Sequence, residues 1–330
     1  MVAGAVAVLL GHSAPEGFWI RHTPRTSEHL EVLAERFDVT EAEIRAWNGL
    51  DADDPLPRGK SLRIRARATP PPLQLQRVLL VEPTRWEEAA RTFEVDEAQL
   101  RAWNPRYRGY ETRLPKRALL SLWRESGVTR YPMPAFDAPL PDIEPIPGGL
   151  SIGRPQIGRL KHGVQLPPSE DYEIQLESEA YGSSATIWHL RRGLTEFRRA
   201  SGYRGLLRVG SISREGGRQL RGHASHQSGR DADIRLPIMA GAPEHGQLYA
   251  SQIDWHATWA LVDALVRTGG VQFIFLEQRH HRQLERAAQR LGAEPERIER
   301  VMAYVIHAKG HRSHLHVRFL CAPEETACKG

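Results

Sequence analysis

The sequence predicts an α+β protein in which two small β-α-α-β modules precede a larger domain with an antiparallel sheet and flanking helices. An internal repeat in the first third of the chain predicts the two modules. In the second half, strand-like and helix-like segments do not alternate regularly, which favours an antiparallel sheet over a parallel one. The length of 330 residues is too great for one average domain.

Residues 1–16 precede the first module. The apolar run 2–10 (VAGAVAVLL) resembles the core of a secretory signal, although no positively charged segment comes before it. We interpret 1–16 as a truncated signal segment, and a buried apolar first strand is the alternative. No other stretch approaches the ~20 apolar residues that span a bilayer. We therefore expect no integral membrane segment.

The repeat aligns residues 36–48 (RFDVTEAEIRAWN) with residues 92–104 (TFEVDEAQLRAWN) at an offset of 56. Each copy begins with a strand-like apolar run, continues with apolar residues at helical spacing and closes with a second strand. Thr40 and Asp96 are candidate N-caps for the second helix of each copy. The two modules are expected at 17–67 and 74–123.

Both copies end their second helix in Trp-Asn, and this order of elements resembles the LysM module. That family binds glycans containing N-acetylglucosamine, so the resemblance implies peptidoglycan as a partner. The Gly-Asp-Thr turn of the family is replaced by 24–27 (PRTS) and 82–84 (EPT). Because this turn helps to form the sugar groove, the glycan-binding residues stay unassigned. Modules that only space or orient the rest of the chain are the alternative.

A proline-rich segment follows the repeat at 124–149. Its six prolines stand at positions 132, 134, 139, 141, 145 and 147. This density prevents a continuous helix or a central strand. We expect a linker here, followed by the larger domain at 150–330.

The larger domain shows the patterns of both element types. Strands are expected at 164–167, 206–212, 272–276 and 315–320, and helices at 185–200, 255–267 and 281–291.

Two histidine-rich segments of this domain predict its chemistry, 223–234 (HASHQSGRDADI) and 311–318 (HRSHLHVR). Residues two apart in a strand face the same side, so His314 and His316 can enter one cleft. Gly229 permits a tight turn between His226 and Asp233. A catalytic zinc ion takes three protein ligands and leaves a position for water, which it acidifies. These segments therefore predict a zinc hydrolase.

The same segments resemble the penicillin-insensitive murein endopeptidases, within the group of lysostaphin, D-Ala-D-Ala and hedgehog-type metallopeptidases. Segments 151–155 (SIGRP) and 209–217 (VGSISREGG) extend the similarity, which covers nearly all of 150–330. One departure is that Arg230 and Arg235 stand where leucine and tryptophan are common. We expect these two arginines to alter substrate preference and to leave metal binding intact.

The resemblance implies a role for each matching position. It makes His226, Asp233 and His316 the zinc ligands, and His314 and His311 the catalytic histidines. In this scheme His314 stands beside the metal-bound water as base or transition-state stabiliser, while His311 flanks the cleft. His223 and Asp231 are supporting residues, and Cys321 and Cys328 match a disulfide of the family.

The predicted function is that of a zinc-dependent peptidoglycan endopeptidase, directed to the wall by the LysM-like modules. In the family the bond is classically the one between D-alanine and meso-diaminopimelate. A non-catalytic envelope-binding protein with a structural zinc site is one alternative, and a D,D- or L,D-carboxypeptidase is another. His314 beside His316 favours an enzyme, because structural zinc sites are normally closed by four protein ligands.

Charge and cysteine usage bear on partners and location. The net charge is +5, and the arginines are spread along the chain with no dense basic block that interleaves aromatics. This pattern argues against nucleic acid and suits an acidic envelope polymer. The two cysteines, seven residues apart near the end, suit a disulfide in an oxidising compartment. We therefore expect a periplasmic or extracellular location, and no pattern in the chain indicates an oligomeric state.

Overall fold

The computed structural model describes residues 17–24, 28–57, 59–131 and 133–330. The expected signal segment 1–16 and part of the turn at 24–27 lie outside the described residues. The chain divides into two compact units, Met1–Pro70 with Pro83–Lys116, and Pro71–Glu82 with Arg117–Gly330. Among the helices of the described ranges, none has the length and apolar character needed to cross a membrane.

The first repeat copy folds as the predicted strand, two helices and strand. Its elements are β1 Phe18–His22, α1 Leu30–Phe37, α2 Glu41–Asn48 and β2 Leu62–Ala66. β1 and β2 pair antiparallel. Thr40 begins α2 with a capping box, in which its hydroxyl accepts from the Glu43 N–H and the Glu43 carboxylate accepts in return. Leu33, Phe37 and Ile44 form a small core with the inward side chains of β2.

The second copy has the same order of main elements with two short strands added. Its elements are β3 Leu73–Leu79, β4 Thr84–Arg85, α3 Trp86–Thr92, α4 Glu97–Trp103, β5 Arg113–Leu114 and β6 Leu119–Glu125, with a 3₁₀ turn at Pro105–Tyr107. Asp96 caps α4 by accepting from the Gln99 N–H. The helices belong to the first unit, and the antiparallel pair β3–β6 belongs to the second. Gln74 of β3 explains this division, because its amide bonds the Ile253 carbonyl and the Trp255 N–H of the second unit.

The second unit contains a six-stranded sheet and four helices in the described residues. Its elements are β7 Leu150–Ile152, β8 Arg159–Lys161, β9 Val164–Gln165, β10 Glu173–Ile174, β11 Tyr181–Gly182, α5 Ser184–Ser201, β12 Arg208–Val209, β13 Asp231–Arg235, α6 Trp255–Arg267, β14 Val271–Leu276, α7 Gln278–Arg290, α8 Pro295–Met302, β15 Val305–His307 and β16 His314–Phe319, with 3₁₀ turns at Glu177–Glu179 and Ala250–Gln252.

The sheet runs in the order β10-β12-β13-β16-β14-β15. The pairs β12–β13, β13–β16 and β16–β14 are antiparallel, as the sequence predicts for this sheet. The outer pairs β10–β12 and β14–β15 are parallel. Their connections contain helices, α5 in the first case and α7 with α8 in the second, and such crossovers permit a parallel neighbour.

The two faces of the central strands differ in chemistry. Ala232 and Ile234 of β13 and Leu315 and Val317 of β16 are fully buried and join a core with residues of α5, α6 and α7. The alternate residues of both strands are charged or are histidines. Because successive side chains point to opposite faces, one face packs on the helices and the other is polar.

The proline-rich segment is fixed on the second unit. Its described residues after β6, up to Gly149, form no helix or strand, as the prolines predict. Trp188, Arg192 and Arg199 of α5 donate hydrogen bonds to the carbonyls of Ile143, Pro141 and Pro139. Proline lacks an N–H but keeps a carbonyl acceptor, so such a segment can be held from one side by donors of a helix.

Candidate metal centre and substrate cleft

The candidate site lies on the polar face of the central strands. Asp233 of β13 stands opposite His316 of β16, and His316 stands opposite Phe275 of β14. Two register positions to either side of this pair, Asp231 stands opposite Arg318 and Arg235 stands opposite His314. Residues two apart in a strand share a face. The register therefore brings together the Asp and His residues that the sequence placed in one cleft.

His226 enters this cleft from the loop before β13. Its backbone is left-handed, with φ 68°, and its N–H donates to Asp231 Oδ2 at 3.1 Å. Its Nδ1 donates to the Ile212 carbonyl at 3.0 Å, so the lone pair lies on Nε2. Gly229 makes the turn to β13 at φ 72°, where a Cβ would come within 2.8 Å of Leu160. The left-handed backbone of His226, which is not a glycine, is the kind of strain that is typical of functional sites.

Four histidines surround the Asp233 carboxylate. Oδ1 lies 3.4 Å from His226 Nε2, 3.3 Å from His316 Nδ1 and 3.8 Å from His314 Nε2. Oδ2 lies 3.5 Å from His223 Nδ1. Asp233 Oδ1 and His226 Nε2 are buried and form no hydrogen bond with the described residues. Such buried polar atoms require a partner, and imidazole with carboxylate is a donor set that zinc accepts.

Two histidines compete for the third position of such a donor set. His223, His226 and Asp233 offer ligand atoms that all lie within 4.8 Å of one another. His316 is the better held alternative, because its Nε2 lies 3.3 Å from Asp231 Oδ1 and its side chain is 9% exposed. A carboxylate on the far ring nitrogen is the usual device that orients a metal-binding histidine. The ligand set inferred from the family pattern stays a prediction.

The buried carboxylate of Asp231 contacts three residues of the site. Its carboxylate accepts from Arg318 Nε at 2.7 Å, from Arg318 Nη2 at 3.1 Å and from the His226 backbone N–H. It also contacts His316. In the supporting position that the sequence assigned to it, Asp231 thus contacts the His316 ring and holds the backbone of His226. Arg318 was not assigned a role from the sequence, although its position two residues after His316 places it on the same face.

Burial and charge set the protonation states. Burial lowers the pKa of His314 to about 4, against the opposing effect of Asp233. Burial also disfavours the charged form of His316, but Asp231 and Asp233 outweigh it and raise its pKa to about 9. For Asp233 burial acts to raise the pKa, yet His226 and His316 hold it well below its ordinary value. Near neutral pH the metal-free site thus combines an anionic Asp233, a protonated His316 and a neutral His314, so a metal ion that binds His316 must displace its proton.

Two clefts adjoin Asp233 and the histidines around it, and His223 and His314 line both of them. One, of about 450 Å³, also exposes His311, Phe275 and the backbone from Ala308 to Gly310. The other, of about 330 Å³, extends past Asp233 to Arg208 and Arg235. The rings of His311 and His314 lie 5.0 Å apart and line the same cleft, and the catalytic role of His311 stays a prediction.

The C-terminal segment is held by a disulfide and by hydrogen bonds from Arg230. Cys321 and Cys328 form the expected disulfide. Arg230 is fully buried and donates to the carbonyls of Phe319 and Lys329. Arg230 directly precedes β13 and lines neither of the two clefts, and its expected influence on substrate preference stays a prediction. Arg235 does line one of them.

Comparison with known proteins places the chain in a family. The sequence model of the penicillin-insensitive murein endopeptidases matches residues 151–330, and that of the LysM domain matches residues 27–65. A penicillin-insensitive murein endopeptidase of Haemophilus influenzae is 29% identical over 219 residues, which cover 61% of this chain and 70% of the relative. The chain therefore belongs to the penicillin-insensitive murein endopeptidase family and carries an N-terminal LysM domain.

Proposed function

We propose that this protein is a zinc-dependent peptidoglycan endopeptidase that hydrolyses an amide bond in the peptide cross-links of the cell wall. The bond we assign is the one between D-alanine and meso-diaminopimelate. The LysM domain supports binding to peptidoglycan, and the family supports a murein substrate. A wall substrate also implies a location in the cell envelope.

One observation carries the proposal. Two buried ligand atoms, His226 Nε2 and Asp233 Oδ1, form no hydrogen bond with the described residues and lie 3.4 Å apart beside His316. In our assignment His226, Asp233 and His316 hold the zinc ion. When bound, zinc polarises a carbonyl and acidifies water.

The remaining residues handle protons and position the substrate. His314 has a partly exposed ring, and its lowered pKa leaves it neutral near pH 7. Its Nε2 can therefore accept a proton from water and return that proton to the leaving nitrogen. Asp231 contacts the His316 ring and accepts from the backbone N–H of His226, while the Ile212 carbonyl orients the His226 ring. His311 and His223 form the walls of the clefts on either side.

The test is mass spectrometry of the fragments released from cross-linked peptidoglycan, with and without a chelator. We expect cross-linked dimers to become monomers, and a chelator to prevent this. His314→Ala should reduce the rate by about 10²- to 10⁴-fold. His281→Ala, which changes a histidine of α7 outside the cleft, should retain the rate.

Two other results would contradict the proposal. Loss of only a terminal D-alanine would make the protein a carboxypeptidase. Unchanged fragments, from protein that binds zinc and sacculi, would make it a non-catalytic wall-binding protein.

A further inference from the structure

Arg235 lies in the same row of side chains as the candidate metal centre. It follows Asp233 by two residues in β13, and it stands directly opposite His314 of β16. Side chains of directly opposed residues share a face and have Cα atoms about 4.5–5.5 Å apart. Arg235 is therefore the next side chain beyond His314 on the polar face.

The guanidinium of Arg235 has no acidic counterpart in the described part of the chain. Nη1 and Nη2 donate to the carbonyls of Gly246 and Pro243, each at 3.0 Å. Its Nε is buried and forms no hydrogen bond with the described residues. A guanidinium has five donors, and two carbonyls leave several of them available.

The neighbouring cation is already compensated. Arg208 Nη2 lies 3.2 Å from Glu173 Oε2 and 3.9 Å from Glu244 Oε2. Both arginines line the cleft of about 330 Å³ that also reaches Asp233 and His314. Of the two arginines that line this cleft in the described part of the chain, Arg235 is therefore the one that no carboxylate neutralises, so its charge is available to a ligand.

We propose that Arg235 determines specificity by binding a carboxylate on the carbon that carries the scissile nitrogen. The proposal rests on the proposed function, in which His314 returns a proton to that nitrogen. A carboxyl carbon attached to the same carbon lies about 2.5 Å from the nitrogen by covalent geometry. With the nitrogen at His314, the carboxylate therefore lies close enough for the guanidinium of Arg235, the residue opposite His314, to bind it. Arginine also pairs with carboxylates through two parallel hydrogen bonds.

The expected ligand chemistry fits a diaminopimelate cross-link. Each end of diaminopimelate is an amino-acid centre, so the carbon that carries the cross-linking nitrogen also carries a carboxylate. The terminal D-alanine of an unlinked stem peptide has the same arrangement. The shared feature is a free carboxylate next to the leaving amine, and the test includes both sources.

The test uses soluble cross-linked stem-peptide dimers that differ only in this carboxylate, free in one and amidated in the other. We expect the wild-type protein to prefer the free acid by about 10- to 100-fold in kcat/KM, the range of a charged hydrogen bond. In Arg235→Gln the ratio should fall to within about threefold of one. Arg235→Lys should keep part of the preference, since lysine retains the charge without the paired donors. Arg204→Gln, a change at an exposed arginine of the same unit, should keep the wild-type ratio.

A wild-type protein that cleaves both dimers equally, or an Arg235→Gln variant that keeps the wild-type ratio, would overturn the proposal. If the wild-type protein cleaves neither dimer, the proposed function fails, and calorimetric binding of the two diaminopimelate product peptides decides the subsite. Binding of the free acid that is at least tenfold tighter, and lost in Arg235→Gln, would support the subsite, whereas equal binding would refute it. A stem pentapeptide ending in D-Ala-D-Ala, cleaved in preference to the dimer, would assign the carboxylate to the chain terminus.

Discussion

Substitution of Asp231 by Asn tests how the site is built. The carboxylate contacts His316 Nε2 at 3.3 Å and accepts from the His226 N–H at 3.1 Å. Asn preserves the shape but removes the negative charge that orients the His316 ring. Loss of such an outer carboxylate typically weakens metal binding about 10- to 100-fold. We therefore expect zinc affinity to fall by about 1.4–2.7 kcal/mol.

The Asp231→Asn substitution should also lower the stability of the fold, and this loss needs a control. Asp231 also pairs with Arg318, whose side chain is 13% exposed, and removing one partner of a buried ion pair costs about 3–5 kcal/mol of stability. Asp263→Asn is the matched variant, because Asp263 is 2% exposed and forms a similar two-bond pair with Arg297 at 2.6–2.7 Å. Both variants should unfold at lower temperature.

The assay is zinc affinity measured by competition with a chromogenic chelator, at a temperature where both variants are folded. Asp231→Asn should bind zinc at least tenfold more weakly than Asp263→Asn. Equal zinc affinity in the two variants would refute the view that Asp231 orients a metal ligand.

Two further predictions concern the third ligand and the first module. His316→Ala should lose zinc on dialysis while His223→Ala keeps about one equivalent, measured by elemental mass spectrometry; the reverse pattern would make His223 the ligand. In the first module, the Arg67 guanidinium and then the Thr40 N–H lower the pKa of Glu43 from 4.5 to about 2. A lowered carboxyl pKa stabilises the folded state above pH 4.5 and ceases to do so as the pH falls towards 2. Because this pair is exposed, Glu43→Gln should cost only about 0.5–1 kcal/mol at pH 7. Hydrogen exchange of the α2 amides in the full chain should show two- to fivefold less protection, with the neighbouring Glu41→Gln as control; equal protection in both would contradict this.

The proline-rich segment shows where sequence patterns reach their limit. Proline density correctly predicted that the described residues of 126–149 would form no helix or strand, because proline removes the N–H that both require, whereas residues 124–125 of the expected linker belong to β6. It could not predict that the carbonyls of this segment accept hydrogen bonds from α5. Those bonds depend on donors about 40–60 residues further along the chain.

The second repeat copy shows a related limit. Its helices and strands were predicted from the periodicity of their apolar residues, which is a local property. The assignment of β3 and β6 to the second unit was not, because it depends on Gln74 and its partners at Ile253 and Trp255.

Local patterns in the sequence were sufficient to predict the main strands and helices, the resemblance to the family and the residues that meet in the site. Alternation in β13 and β16 was enough to place Asp231 with Asp233, and His314 with His316, since side chains alternate with a period of two. Three features became visible only in the folded chain: Asp231 contacts His316, the Ile212 carbonyl holds the His226 ring, and Arg235 rather than Arg230 lines a cleft. Strand register and loop conformation set these contacts, and both depend on packing between segments that are distant in the chain.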